Sequence, residues 1–226
     1  MNSPTLETIE LQSGAAPQAS LIVLHGLGAD GSDFVPVAQQ LDLSAQGGAR
    51  FVFPHAPRRP VTVNGGHVMR AWYDVAGFDG PVAEDAAGIR AAAAQIAALI
   101  ARENARGIPD ARIVLAGFSQ GASMTLHAGL RHPRRLAGLL ALSGYLPLAV
   151  TLAAERSAAN AAVPIFLAHG EIDAVVRLGR GTATREWLVR LGWQPEWHDY
   201  PIGHEVCWEE LRDIGAFLNR VLPALP

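Results

Sequence analysis

Five short, nearly all-apolar runs separated by longer helix-patterned segments constrain this chain more than any other feature. They are residues 20–25 (SLIVLH), 50–53 (RFVF), 112–116 (RIVLA), 136–142 (LAGLLAL) and 163–168 (VPIFLA). A strand wetted on one face alternates apolar and polar side chains. A strand covered on both faces does not, so these runs read as a buried parallel sheet. Residues 5–11 (TLETIEL) do alternate, as an edge strand should, and 196–200 (EWHDY) is a shorter, late candidate. The helical pattern is clearest from 84 to 106. There Ile89, Ile96, Leu99 and Ile100 share one face, alanines favour the helix and Gly107 ends it. Further helices are expected after Asp33, Gln120, Arg177 and Glu205. The alternation predicts an α/β fold with a mostly parallel central sheet, and right-handed crossovers place helices on both of its faces.

Two segments break the alternation. Residues 54–80 are rich in Pro, Gly and aromatics, and a loop this long with Trp72 and Tyr73 in it reads as ordered and functional. Residues 151–162 are alanine-rich and read as a short helix or surface excursion. No repeat or linker divides the chain, so its 226 residues read as one domain.

Composition excludes several classes. With 50% hydrophobic and 17% charged residues the chain is not disordered, and a net charge of -3 without a basic block disfavours nucleic acid. The single cysteine, Cys207, forms no internal disulfide and reads as a small buried thiol. Neither a signal peptide nor an apolar run of ~18 residues is visible. The expectation is therefore a soluble, cytoplasmic protein with no integral membrane association. The histidines form no HxxxH or HExxH motif and one cysteine builds no thiolate cluster, so no metal is expected. A cofactor is not expected either.

Residues 117–121 read GFSQG, a G-x-S-x-G motif between the strand RIVLA and a helix-like ASMTLHAGLRH that stops at Pro133. Strand, tight turn and helix are the context of a nucleophile elbow in the α/β-hydrolase fold, with Ser119 as nucleophile. Gly117 and Gly121 lack the Cβ atoms that would collide there. In this fold an acid and then a histidine follow the serine in the chain. Asp173 comes after the strand in VPIFLAHGEID, and His204 sits in PIGHEVCWEE before the last helix. Imidazole can take and return a proton near neutral pH, and a carboxylate behind it fixes the tautomer. Glu171, His169, His198 and Asp199 are the competitors in sequence. They suit the roles less well by position. The glycine loop HGLGADG at 25–31 follows an early strand and suits the oxyanion hole, with the N–H of Leu27 paired with that of Gln120. It lacks the residues of a phosphate- or dinucleotide-binding loop. Trp187, Trp193, Trp197 and Trp208 read as packing residues, Trp208 bordering the site, and Arg58 and Arg59 as solvated.

Longer stretches carry a family resemblance. They are LHGLGADG (24–31), PHAP through NGGHVMRAWYD (54–74), AGFSQGASM (116–124), LSGYLP (142–147), HGEIDAVV (169–176) and GHEVCWEE (203–210). Through them the chain resembles, almost end to end, the phospholipase/carboxylesterase family, which includes bacterial carboxylesterases and acyl-protein thioesterases. The resemblance implies an α/β-hydrolase fold, the triad Ser119, Asp173 and His204, and an oxyanion hole at Leu27 and Gln120. It gives residues 54–80 a part in an acyl groove, with Leu27, Trp72, Leu146 and Val175 as substrate-binding residues. It also implies a small ester or thioester substrate and a homodimer. A carboxylesterase for short to medium acyl chains is the first reading, a thioesterase or lysophospholipase the second. A noncatalytic binding module on the same fold is the remote third. One departure stands out: the family often has proline after the DxVV segment, where this chain has Arg177.

Overall fold

The computed structural model describes residues 6–77 and 83–224. Seven strands form the main sheet, in the order β1, β3, β2, β6, β7, β8, β9. They are β1 (Thr8–Gln12), β2 (Ala19–Leu24), β3 (Ala49–Pro54), β6 (Ile113–Phe118), β7 (Gly138–Leu142), β8 (Ile165–Gly170) and β9 (Glu196–Tyr200). Only β1 runs antiparallel, pairing Thr8 to Gln12 with Pro54 to Arg50 along the edge. The strands read from all-apolar runs occupy the interior, and β7 and β8 are buried at every residue.

Helices cover both faces. Alternate residues of β2 divide between two cores: Ile22 and Leu24 face one, Leu21 the other. The first core takes α2 (Ala86–Ala105), α3 (Gln120–Arg131), α4 (Ala149–Glu155) and α5 (Leu178–Arg190). The second takes α1 (Val35–Ala38) and α6 (Trp208–Val221). The buried face of α2 carries the four predicted residues together with Ala92 and Glu103. Asp85 caps its start by accepting from Gly88 N–H at 2.8 Å. Glu103 is fully buried beneath Arg50 at 2.9 Å and Arg106 at 3.0 Å, so its charge is paired where water cannot reach it. The helix after Asp33 is only the four residues of α1. The alanine-rich 151–162 segment ends α4 and adds a 3₁₀ turn, Ala158–Asn160.

The stretch 54–77 is not a bare loop. It holds a hairpin of β4 (Arg58–Val61) and β5 (His67–Arg70), closed by a 3₁₀ turn and by Gly65 and Gly66 with φ of +65° and +79°. Both strands are four residues long and pair only with each other, so neither shows the alternation of a half-buried strand. Residues 78–80, which the sequence reading included in this segment, lie outside the described residues. No described helix is long and apolar enough to cross a membrane.

Candidate active site

At the carboxyl end of β6 the chain turns sharply into α3. Ser119 occupies the turn with φ 56° and ψ −119°, a conformation that costs a non-glycine residue of order 1–3 kcal/mol and is held only by its surroundings. Its N–H donates to Leu142 C=O at 2.8 Å, and its C=O accepts from Ser123 N–H at 3.1 Å. The helix passes so close to β2 that a Cβ on Gly121 would lie 2.0 Å from the Leu24 carbonyl oxygen. On Gly117 it would lie 2.4 Å from the Gly121 carbonyl carbon. Any larger residue at either place would push the turn away from the sheet.

Three side chains from three loops meet at this point. His204 Nε2 is 2.9 Å from Ser119 Oγ, and His204 Nδ1 is 2.7 Å from Asp173 Oδ2. The other Asp173 oxygen accepts from the N–H groups of Val175 and Val176, each at 2.8 Å, and its side chain is fully buried. Both oxygens of the carboxylate are therefore occupied, which fixes the tautomer with the proton on His204 Nδ1 and leaves Nε2 to accept from the serine. The Phe118 ring lies against the imidazole, with centroids 4.6 Å apart. This chain of bonds can withdraw the Ser119 proton as the oxygen attacks an electrophile.

The competitors take other places. His169 Nε2 lies 2.6 Å from Val176 C=O and 3.6 Å from Asp173 Oδ2. Burial pushes its pKa down, so it holds the acid loop as a neutral donor. His198 pairs with Glu196 at 2.9 Å on β9, while Asp199 and Glu171 are exposed.

The glycine loop and residue 120 are tied together. His25 Nδ1–H donates to Gly26 C=O at 2.7 Å, and its Nε2 accepts from Ala56 N–H at 3.0 Å. Burial lowers this pKa too, which keeps the ring neutral and able to do both. Trp72 Nε1–H donates to His25 C=O at 2.9 Å. Gln120 spans to the same segment: its Oε1 accepts from Trp72 N–H and its Nε2 donates to Tyr73 C=O, both at 2.8 Å. Because Gln120 is the first residue of α3, its own N–H has no intrahelical carbonyl.

A cavity of about 150 Å³ opens beside Ser119, lined by Leu27, Tyr73, Val75, Gln120, Tyr145, Val175, Val176, Arg180 and His204. Of the expected groove residues it includes Leu27 and Val175. Trp72 and Leu146 are not on its wall. Trp72 is fully buried because its indole N–H must reach a carbonyl, and Leu146 is held inward by its N–H bond to Thr184 Oγ1. Tyr73, Val75, Tyr145, Val176 and Arg180 line the cavity as well, and no sequence signal marks them as lining. Tyr73 and Tyr145 adjoin the two misplaced residues, so each motif was found and its inward side chain misassigned. Tyr73 Oη and Tyr145 Oη lie 2.8 Å apart, and burial pushes the Tyr73 phenol well above its usual range.

Three smaller expectations also change. Trp208 is 70% exposed rather than packed, and Cys207 is half-buried at the cap of α6, with its thiol pKa pushed up by burial. Arg59 approaches Asp85 at 3.6 Å rather than standing free in water. Arg177 caps α5 with φ −54°, within the range a proline adopts, so the departure from the family pattern leaves the backbone path open to either residue.

A parallel sheet flanked by helices, with an elbow serine at its carboxyl edge, defines the α/β-hydrolase fold. The chain belongs to the phospholipase/carboxylesterase family, whose sequence profile matches residues 6–222. Acyl-protein thioesterase 1 of Mycosarcoma maydis is 39% identical over 231 residues, covering 96% of each chain. Acyl-protein thioesterase 1 of Neurospora crassa is 40% identical over 214 residues, covering 91% of this chain and 87% of its own. The crystal structure of Zea mays acyl-protein thioesterase 2 superposes with a TM-score of 0.85 at 29% identity, covering 96% of this chain and 99% of that one.

Proposed function

We propose that the protein is a serine hydrolase that cleaves thioesters and carboxylic esters through an acyl-enzyme. The observation that carries this reading is the unbroken bond chain from Ser119 through His204 to Asp173 at the mouth of a cavity. Ser119 Oγ attacks the carbonyl carbon as His204 Nε2 takes its proton, and Asp173 stabilises the imidazolium. The N–H groups of Leu27 and Gln120 receive the oxyanion. His204 then protonates the departing thiol or alcohol, and water repeats the sequence to release the acid. Water is the only co-reactant, and each proton that His204 takes it gives back within the same half-reaction, so the reaction requires no metal or cofactor. The largely apolar wall suits a short to medium acyl chain.

The names of the relatives favour a thioester over the simple carboxylic ester that the sequence alone put first, with a lysophospholipid as a further substrate class. Turnover of an acyl thioester and a p-nitrophenyl ester of equal chain length, beside Ser119→Ala, tests the reading. The expected result is turnover of both, faster on the thioester, and a loss of about 10⁴-fold or more in the variant. A folded wild type that hydrolyses neither and resists a fluorophosphonate probe at Ser119 overturns it.

A further inference from the structure

Arg180 is the one permanent charge on the cavity wall among the described residues. It sits in the first turn of α5, which has no acidic residue and follows Arg177 at the N-cap. A cation there opposes the helix dipole, so local helix stability does not explain its presence. Its guanidinium carbon lies 3.6 Å from the Tyr145 ring centroid, stacked on the aromatic face. Stacking fixes the plane of the group and leaves its N–H edges unspent. Among the described residues no carboxylate lies within ion-pair distance of it. Asp173 is committed to His204 and two backbone N–H groups. The neighbouring phenols, Tyr73 and Tyr145, are paired with each other. The cavity thus presents a half-buried, oriented, five-donor cation among the residues that line it with Ser119 and His204, and apolar side chains complete the lining.

We propose that Arg180 makes this site selective for esters and thioesters that carry an oxyanion, a carboxylate or phosphate, a few bonds from the scissile carbonyl. This rests on the hydrolase reading above and names its substrate class. The planar guanidinium binds two oxygens of such a group side by side, a geometry lysine cannot reproduce. The anion can reside on the acyl chain or on the leaving group.

The test compares matched esters. On the acyl side, mono-p-nitrophenyl glutarate is set against p-nitrophenyl valerate. On the leaving-group side, the valerate ester of 4-hydroxybenzoate is set against phenyl valerate. Each pair is run on wild type, Arg180→Gln and Arg180→Lys. The readout is the ratio of kcat/KM for the anionic member to that for the neutral member, so the neutral ester normalises for competent enzyme. In one arm Arg180→Gln should lower the ratio by about ten- to a hundredfold, with Arg180→Lys between, and the arm that responds locates the anion. A second readout uses wild type alone. Added salt should depress turnover of the anionic ester in that arm more than that of its neutral partner. Should Arg180→Gln lose all activity, this salt comparison decides. Ratios unchanged by substitution, or equal salt responses in both arms, overturn the assignment while leaving the hydrolase reading intact. Loss of all ester and thioester turnover in wild type would instead remove the reading beneath it.

Discussion

Replacing Asp173 by Asn changes one atom and tests the whole bond chain. In the wild type Oδ1 accepts from Val175 and Val176 N–H at 2.8 Å, and Oδ2 accepts from His204 Nδ1–H at 2.7 Å. An asparagine has one accepting end. Turned toward the two backbone donors, it presents its NH₂ to His204 Nδ1, which must then give up its proton and accept. The proton moves to Nε2 and points at Ser119 Oγ, so the ring can no longer take the serine proton. Turned the other way, the NH₂ faces two buried N–H groups, a worse arrangement. The first orientation wins, and the fold survives with the wrong tautomer. Loss of the correct tautomer in such a triad costs about 10⁴-fold in kcat, equivalent to ~5 kcal/mol in the barrier. The assay is steady-state hydrolysis of p-nitrophenyl butyrate, with thermal melting to show that the variant is folded. A folded Asp173→Asn enzyme within tenfold of wild type would refute the tautomer argument, and with it the assignment of Asp173.

Two further perturbations follow from burial. Gly121→Ala puts a methyl carbon 2.0 Å from the Leu24 carbonyl oxygen, a backbone atom that cannot move aside. The variant should lose at least ~3 kcal/mol of stability and most of its activity; a wild-type melting temperature would refute the close-approach reading. Glu210, 2% exposed in the first turn of α6, has its carboxyl pushed up to about 7 because burial disfavours the charge. Since the folded state holds that proton more tightly than the unfolded state, its contribution is full below about pH 4.5 and is lost as pH rises through about 7. Glu210→Gln should therefore narrow the stability difference between pH 5 and pH 8, measured by urea midpoints, by up to about 3 kcal/mol, and an unchanged difference would refute it.

Side chains whose environment is set by the sheet were the legible ones. RIVLA and LLAL announce buried strands because both faces are covered, and the elbow is visible because its glycines stand at fixed offsets from Ser119. The positions of Asp173 and His204 follow from chain order in the fold. The hairpin was illegible because RRPV and HVMR pair only with each other and bury little. Trp72 was misread because a large aromatic beside an acyl groove suggests a lining, whereas the polar end of the indole decides its direction. Arg180 escaped notice for a similar reason: an arginine early in a helix reads as solvated until the ring of Tyr145, 35 residues earlier, is seen beneath it.

The side chain of Gln120 has a consequence for the motif in which it stands. G-x-S-x-G treats the position after the serine as open. Here its amide oxygen meets Trp72 N–H and its amide nitrogen meets Tyr73 C=O, stitching α3 to the neighbouring segment as a peptide group of an adjoining strand would. Glutamate offers no donor for the second bond, asparagine falls one methylene short, and leucine abandons two buried main-chain groups. The letter left free in the pattern is, in this chain, one that the surrounding backbone spells out.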